Sequence, residues 1–74
     1  MNHDDLQMAR QSLMEELQAI SDYQSRIDST DDESLKKVLA HNRDEEKEHA
    51  AILTDWIRAH DPDQDKLFKE NDME

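Results

Sequence analysis

Apolar residues recur along this chain at helical rather than alternating spacing. An apolar stripe predicts a first helix over about residues 4–27; its members are Leu6, Ala9, Leu13, Leu17, Ile20 and Ile27. A second helix is predicted over about residues 34–59, where one seam steps alternately by four and three residues. That seam contains Leu35, Leu39, Asn42, Glu46, His49, Leu53 and Trp56. The pattern therefore predicts two long amphipathic helices.

The segment between the two stripes is polar and carries the signal for a helix start. Thr30, followed three residues later by Glu33, matches a capping box, which predicts that the second helix begins there. The helix should end near His60, because Pro62 follows and residues before a proline avoid the helical region. We therefore expect a helical hairpin in residues 1–60 and an acidic tail or a short third helix in residues 61–74.

Two helices of this length cannot cover their own apolar stripes, and a second hairpin docked face to face would cover them as a four-helix bundle. The expected fold class is all-α: an antiparallel two-helix hairpin with a short C-terminal helix, which dimerises into the bundle. Dimerisation is the simplest way to bury the apolar faces of so short a chain.

Composition excludes several classes of function. The chain has 74 residues, and its 9 Lys and Arg against 20 Asp and Glu give a net charge of −11, which disfavours nucleic acid and anionic membranes as partners. It has no cysteine for a thiol site and no glycine for a phosphate-binding loop. It also shows neither a membrane-spanning run nor the apolar segment of a signal peptide. We therefore expect a soluble cytoplasmic protein.

Polar residues interrupt the seam of the second helix at its middle. Glu46 and His49 lie one turn apart on one helix face, and Glu16 lies between Leu13 and Ile20 at the edge of the first stripe. Glu16 and Glu46 are each 15 residues from a turn centred near residue 31, so an antiparallel hairpin places them side by side. Buried carboxylates are costly unless they are paired or bind metal.

A dimer would bring together four carboxylates and two imidazoles, which suit two Fe(II) ions in ligand type and number. Glutamates from two helices with Glu-x-x-His from two others are the ligand pattern of di-iron four-helix bundles. The alternative interpretation is a buried ion pair or a polar layer that sets helix register.

Two further features are candidates for weaker roles. Tyr23 lies seven residues after Glu16 on the same helix face and is expected at an interface or beside the iron site. His41, Glu45 and Glu48 share another face of the second helix, where they form either a solvated acidic surface or an auxiliary cation site.

Four segments carry a resemblance to a known family: residues 12–17 (SLMEEL), 40–51 (AHNRDEEKEHAA) and 55–58 (DWIR), and the pair Asp61-Pro62. Over about residues 8–70 the chain resembles the encapsulated ferritins. In that family a two-helix protomer completes a ferroxidase site across a dimer interface, dimers form a ring-shaped decamer, and an encapsulin shell houses the ring and stores the iron mineral.

The resemblance implies that Glu16, Glu46 and His49 of each subunit are the ligands, with two irons per dimer and Tyr23 close by. It also implies an outer metal-attracting site at Glu15, where Gln18 replaces the family's companion acid, and a secondary cation site at His41, Glu45 and Glu48. Other divalent cations, such as Ca²⁺ or Zn²⁺, are expected at these outer sites.

The expected function is oxidation of Fe(II) to Fe(III), with an encapsulin shell protein as partner and a location inside that cytoplasmic compartment. The family's C-terminal shell-targeting peptide has no counterpart after Glu74. The chain is therefore expected to be a trimmed form, a domain of a shell fusion, or a member that works without a shell. Two alternatives stay open: an acidic helical adaptor with a structural polar seam, and a rubrerythrin-like peroxide-reducing di-iron protein.

Overall fold

The computed structural model describes residues 3–71, and for residue 3 the backbone alone. It contains three helices in chain order: α1 (His3–Ser29), α2 (Glu33–His60) and α3 (Pro62–Glu70). The described residues contain no strand, so the predicted all-helical hairpin with a short third helix is confirmed. The last three residues of the predicted tail, 72–74, lie outside the described residues.

The start of α2 differs from the predicted capping box. Asp32, not Thr30, is the N-cap: its Oδ1 accepts hydrogen bonds from the Leu35 backbone N–H at 3.0 Å and from the Ser34 hydroxyl at 2.6 Å. The Thr30 hydroxyl instead accepts from the Asp32 backbone N–H at 3.2 Å, so it orders the turn before the cap. The bonds from Ser34 and Leu35 lower the pKa of the Asp32 carboxyl below its ordinary value.

The two long helices pack along an unbroken row on α1. Its members step by three and four residues and are all half-buried: Leu6, Ala9, Leu13, Glu16, Ile20, Tyr23 and Ile27. The predicted stripe placed Leu17 in this row, but Leu17 is 51% exposed and Glu16 takes its place. Both residues satisfy a three-and-four step between Leu13 and Ile20, so spacing alone could not choose between them.

The predicted seam of α2 divides into two faces that are offset by one residue. The inner face packs on α1 and contains only buried or half-buried residues: Lys36, Leu39, Arg43, Glu46, Ala50, Leu53 and Ile57. The outer face contains Leu35, Val38, Asn42, Glu45, His49, Ile52 and Trp56, most of them exposed. The predicted seam therefore took its members from both faces, with Glu46 on the inner face and His49 on the outer one.

The sharp break after α2 follows from the sequence Asp61-Pro62. Asp61 ends α2 in an extended conformation and also caps α3, because its Oδ1 accepts from the Gln64 backbone N–H at 3.2 Å. Pro62 occupies the first turn of α3, where its missing N–H is not needed. Over the described residues, none of the three helices combines the length and the apolar character that crossing a bilayer requires.

Candidate metal centre

Glu16 on α1 approaches Glu46 and His49 on α2, as the matched distances from the turn predict. One ligand atom from each of these three side chains lies within 4.8 Å of the other two. His49 and Glu46 project from adjacent turns of α2, and Glu16 faces them from the row on α1. No other group of three or more histidine, cysteine, aspartate or glutamate side chains comes this close in the described part of the chain.

The geometry of the cluster is convergent but loose. His49 Nδ1 lies 3.5 Å from Glu16 Oε2 and 3.5 Å from Glu46 Oε2. The two carboxylate side chains are only 25% and 23% exposed, whereas His49 is 49% exposed. Three potential donor atoms therefore gather at the point where the inner face of α2 meets its outer face.

Glu16 Oε2 is a buried oxygen with no hydrogen-bond partner among the described residues. A carboxylate oxygen in that position is destabilising unless a cation or a donor satisfies it. Carboxylate oxygen and imidazole nitrogen together suit Fe(II), Zn(II) and related divalent ions. The cluster therefore fits a divalent cation, and three donors from one chain leave coordination positions for other ligands.

The other predicted site residues are placed as follows. Glu15 is exposed and accepts a hydrogen bond from the Gln11 side chain at 3.2 Å. Gln18, at the position of the family's companion acid, donates to Asp22 Oδ1 at 2.9 Å. Tyr23 is half-buried in the α1 row, and the Arg26 guanidinium lies 5.5 Å from its ring centroid.

The predicted secondary cation site is only partly assembled. His41 Nε2 and Glu45 Oε1 form an exposed pair at 2.5 Å. Glu48 is exposed and joins no three-ligand group within residues 3–71.

The apolar residues that flank His49 on the outer face were not predicted. Val38 is 57% exposed and Ile52 is 60% exposed, and neither belongs to the predicted seam. The signal was present in the sequence, because Leu35, Val38, Asn42, Glu45, His49, Ile52 and Trp56 also step by three and four residues. Two seams one residue apart indicate a helix with two packing faces.

Comparison with known proteins gives consistent matches. The family described as EncFtn-like matches residues 1–72. A "Ferritin-like protein" of Thermotoga maritima is 45% identical over 65 residues, which are 88% of this chain and 57% of that protein. An "Encapsulated ferritin-like protein" of Rhodospirillum rubrum is 54% identical over 50 residues, which are 68% of this chain and 36% of that protein.

A third relative is the "Encapsulin nanocompartment cargo protein EncC" of Myxococcus xanthus, 44% identical over 61 residues, which are 82% of this chain and 47% of that protein. This chain thus spans between 36% and 57% of the length of these three relatives. The crystal structure of protein ne0167 from Nitrosomonas europaea superposes with a TM-score of 0.87 at 49% identity, covering 95% of this chain and 79% of that one.

Proposed function

Because this chain belongs to the EncFtn-like family of encapsulated ferritins, we propose that it is a ferroxidase whose two-iron site is completed by a second copy of itself. The observation that carries the proposal is the convergence of Glu16, Glu46 and His49, in which the buried oxygen Oε2 of Glu16 accepts no hydrogen bond from the described residues. Fe(II) is the substrate, and these side chains are its ligands.

The exposed apolar residues on the same face of α2 as His49 support a dimer. Leu35, Val38 and Ile52 are exposed on the outer face of α2, which also carries His49. Apolar residues in a three-and-four pattern on one helix face are typical of a helix–helix interface. A second hairpin against this face completes a four-helix bundle and brings a second set of the three ligands to the first.

In the assembled site, the chain's own residues hold and neutralise two iron ions. Glu16 and Glu46 supply carboxylate oxygens that balance the ions' charge, and His49 supplies a nitrogen ligand for each ion. Together the two Fe(II) ions would give two electrons, which with two protons reduce dioxygen to hydrogen peroxide or hydrogen peroxide to two waters, and both ions would leave as Fe(III). Tyr23, two turns after Glu16 on the same face of α1, has a secondary role in this proposal. Glu15 on the acidic exterior attracts Fe(II) towards the site, as the net charge of −11 favours.

The assembly and its location belong to the same proposal. Dimers build a ring-shaped decamer, and an encapsulin shell protein encloses the ring and stores the mineral. The Rhodospirillum rubrum relative is named as an encapsulated protein and the Myxococcus xanthus relative as an encapsulin cargo, and these names support a shell partner. A single hairpin encloses no storage chamber, so the mineral forms outside the protomer. The outer acids also accept Ca²⁺ or Zn²⁺.

The test is an anaerobic Fe(II) titration followed by exposure to air, read as Fe(III) absorbance and bound iron. We expect saturation at two irons per dimer and fast oxidation. His49→Ala and Glu46→Ala should abolish oxidation, because each substitution removes two ligands from a symmetric site. Asp55→Ala is the matched control: it removes an exposed carboxylate from the same helix and should oxidise iron as wild type does.

A folded dimer that neither binds nor oxidises iron would favour the structural adaptor instead. In that case His49 and the two glutamates form a polar layer that sets register, which their 3.5 Å separations also permit. Peroxide reduction of the rubrerythrin kind would appear as faster turnover with peroxide and an external electron donor than with dioxygen.

A further inference from the structure

The short helix α3 is fastened to the hairpin mainly through charged groups. Arg58 Nε of α2 donates to Asp65 Oδ1 of α3 at 2.7 Å, and within α3 Lys69 Nζ lies 3.2 Å from the other oxygen of the same carboxylate. The Arg58 guanidinium also lies over the Phe68 ring, 4.8 Å from its centroid. Both partners in the Arg58–Asp65 pair are largely shielded from solvent, at 20% and 29% exposure. This is the contact through which α2 holds α3.

A second charged contact fixes the joint between α2 and α3. Arg10 on α1 donates to Asp61 Oδ2 at 2.8 Å, while the other oxygen of the same carboxylate caps α3. Asp61 therefore connects all three helices at one residue. Because Pro62 follows directly, the direction of α3 is set at this joint.

Apolar burial contributes little to this docking. No described side chain of α3 is fully buried, Phe68 is half-buried, and Leu67 is 51% exposed. Beneath the helix lies a cavity of about 250 Å³, lined by Arg10, Leu13, Thr54, Ile57, Gln64 and Phe68. A nine-residue helix is too short to persist in water without such support. If the charged contacts weaken, α3 has little else to keep it in place.

We propose that α3 is a strap held on the hairpin by its charged contacts, and that it opens as a unit while the hairpin stays folded. Ionic strength sets how often α3 opens. Opening exposes the apolar floor of the cavity at Leu13 and Ile57. The metal cluster is untouched by this motion. Arg58 lies nine residues after His49, which is about two and a half helical turns, so the two side chains leave α2 on opposite sides.

At neutral pH, salt rather than acid controls the strap. Arg58 of α2 and Lys69 of α3 face Asp65 and lower its pKa below the ordinary value, while Arg10 of α1 is paired with Asp61. A carboxyl whose pKa is lowered by folding contributes fully to stability when the pH is above its ordinary pKa. It loses this contribution only as the pH falls through the lowered pKa. Salt weakens ion pairs at any pH, and it acts more strongly on the pair of half-exposed Arg10 with Asp61 than on the partly shielded Arg58–Asp65 pair.

The test is native-state amide hydrogen exchange on the full chain at pH 7, in 20 mM and 500 mM NaCl. Residues 66–70 should lose protection at least fivefold at the higher salt, while residues 45–55 of α2 stay unchanged. Asp65→Asn should produce the same loss at low salt. Asp63→Asn is the matched control, because it removes the same charge from the same first turn without removing the Arg58 and Lys69 contacts.

Two results would overturn the strap. In the first, residues 66–70 exchange only together with α2, so that α3 opens only by global unfolding. In the second, Asp65→Asn and Asp63→Asn have equal effects, so that the specific pairing is irrelevant. Fe(II) binding by Asp65→Asn should match wild type under either outcome, so this test and the ferroxidase test fail independently.

Discussion

The most direct prediction concerns Glu16, a half-buried carboxylate whose buried oxygen Oε2 has no hydrogen-bond partner among the described residues. Replacing it with the similarly long, apolar methionine should stabilise the metal-free protein, because the unsatisfied oxygen is removed and the volume is kept. Leaving a buried polar atom unsatisfied costs about 1–3 kcal/mol. A quarter of the Glu16 side chain is still exposed, so we expect the lower end of that range. Helix propensity barely changes, since Glu and Met are close on that scale.

Added metal should reverse the effect of Glu16→Met on stability, so that the wild type becomes the more stable protein. In EDTA, about 1 kcal/mol raises the melting temperature of a domain this small by roughly 4–8 °C. With a divalent ion at about 100 times its Kd, the wild type gains about 2.7 kcal/mol from binding, and Glu16→Met gains far less because a ligand is missing. Thermal unfolding of both proteins at one fixed concentration, in EDTA and in excess Zn(II), measures whether the order of their melting temperatures reverses.

Asp55→Met is the control for this experiment, because this carboxylate is exposed and belongs neither to the three-ligand cluster nor to the proposed outer sites. Its effect should stay within about 0.5 kcal/mol in both conditions. The opposite result in EDTA would be a loss of stability of about 3–5 kcal/mol in Glu16→Met, which is the loss expected when one partner of a buried ion pair is removed. Glu16 and His49 would then be a structural pair and not metal ligands.

Three more predictions follow from the same contacts. Fe(II) or Zn(II) should raise both the dimer fraction in analytical ultracentrifugation and the melting temperature, because metal removes the repulsion between carboxylates in one layer; metal-independent values would contradict this. Asp32→Ala should lower the melting temperature more than Thr30→Ala, and this difference should vanish in acid as pH falls through the lowered Asp32 pKa. Gln18→Glu should speed iron uptake at low Fe(II) without changing the amount of iron bound at saturation. It should also lower the stability of the protein by about 0.2–0.5 kcal/mol, because it places a second negative charge beside Asp22. Unchanged uptake would leave no role for an outer site at this position.

The helices and the cluster could be predicted because each depends on spacing along one chain. Pro62 and the three-and-four steps define where α2 runs, and equal distances from the turn bring Glu16 to Glu46. The cap of α2 could not be chosen by pattern, because Thr30 and Asp32 are both good caps and the backbone of the turn decides between them.

The position of α3 was beyond prediction for a different reason. It depends on a contact between Arg10 and Asp61, which are 51 residues apart in sequence, and on the angle that one capped aspartate gives the joint. Nothing in the sequence indicates that Arg10 pairs with Asp61, since charged residues make up 39% of the chain. A sequence pattern identifies the faces of a helix, whereas the pairing of particular charged residues depends on how the helices pack together.

The two faces of α2 would link the proposed metal site to the proposed dimer. Glu46 belongs to the inner face that packs on α1, and His49 belongs to the outer face that carries exposed apolar residues. A cation bound between them contacts side chains from both faces at once. Any hairpin that covers the outer face must also cover half-exposed His49 and close the open side of the cluster. A substitution on the outer face away from the ligands, such as Ile52→Lys, should therefore weaken metal binding through assembly alone, and raising the protein concentration should restore it.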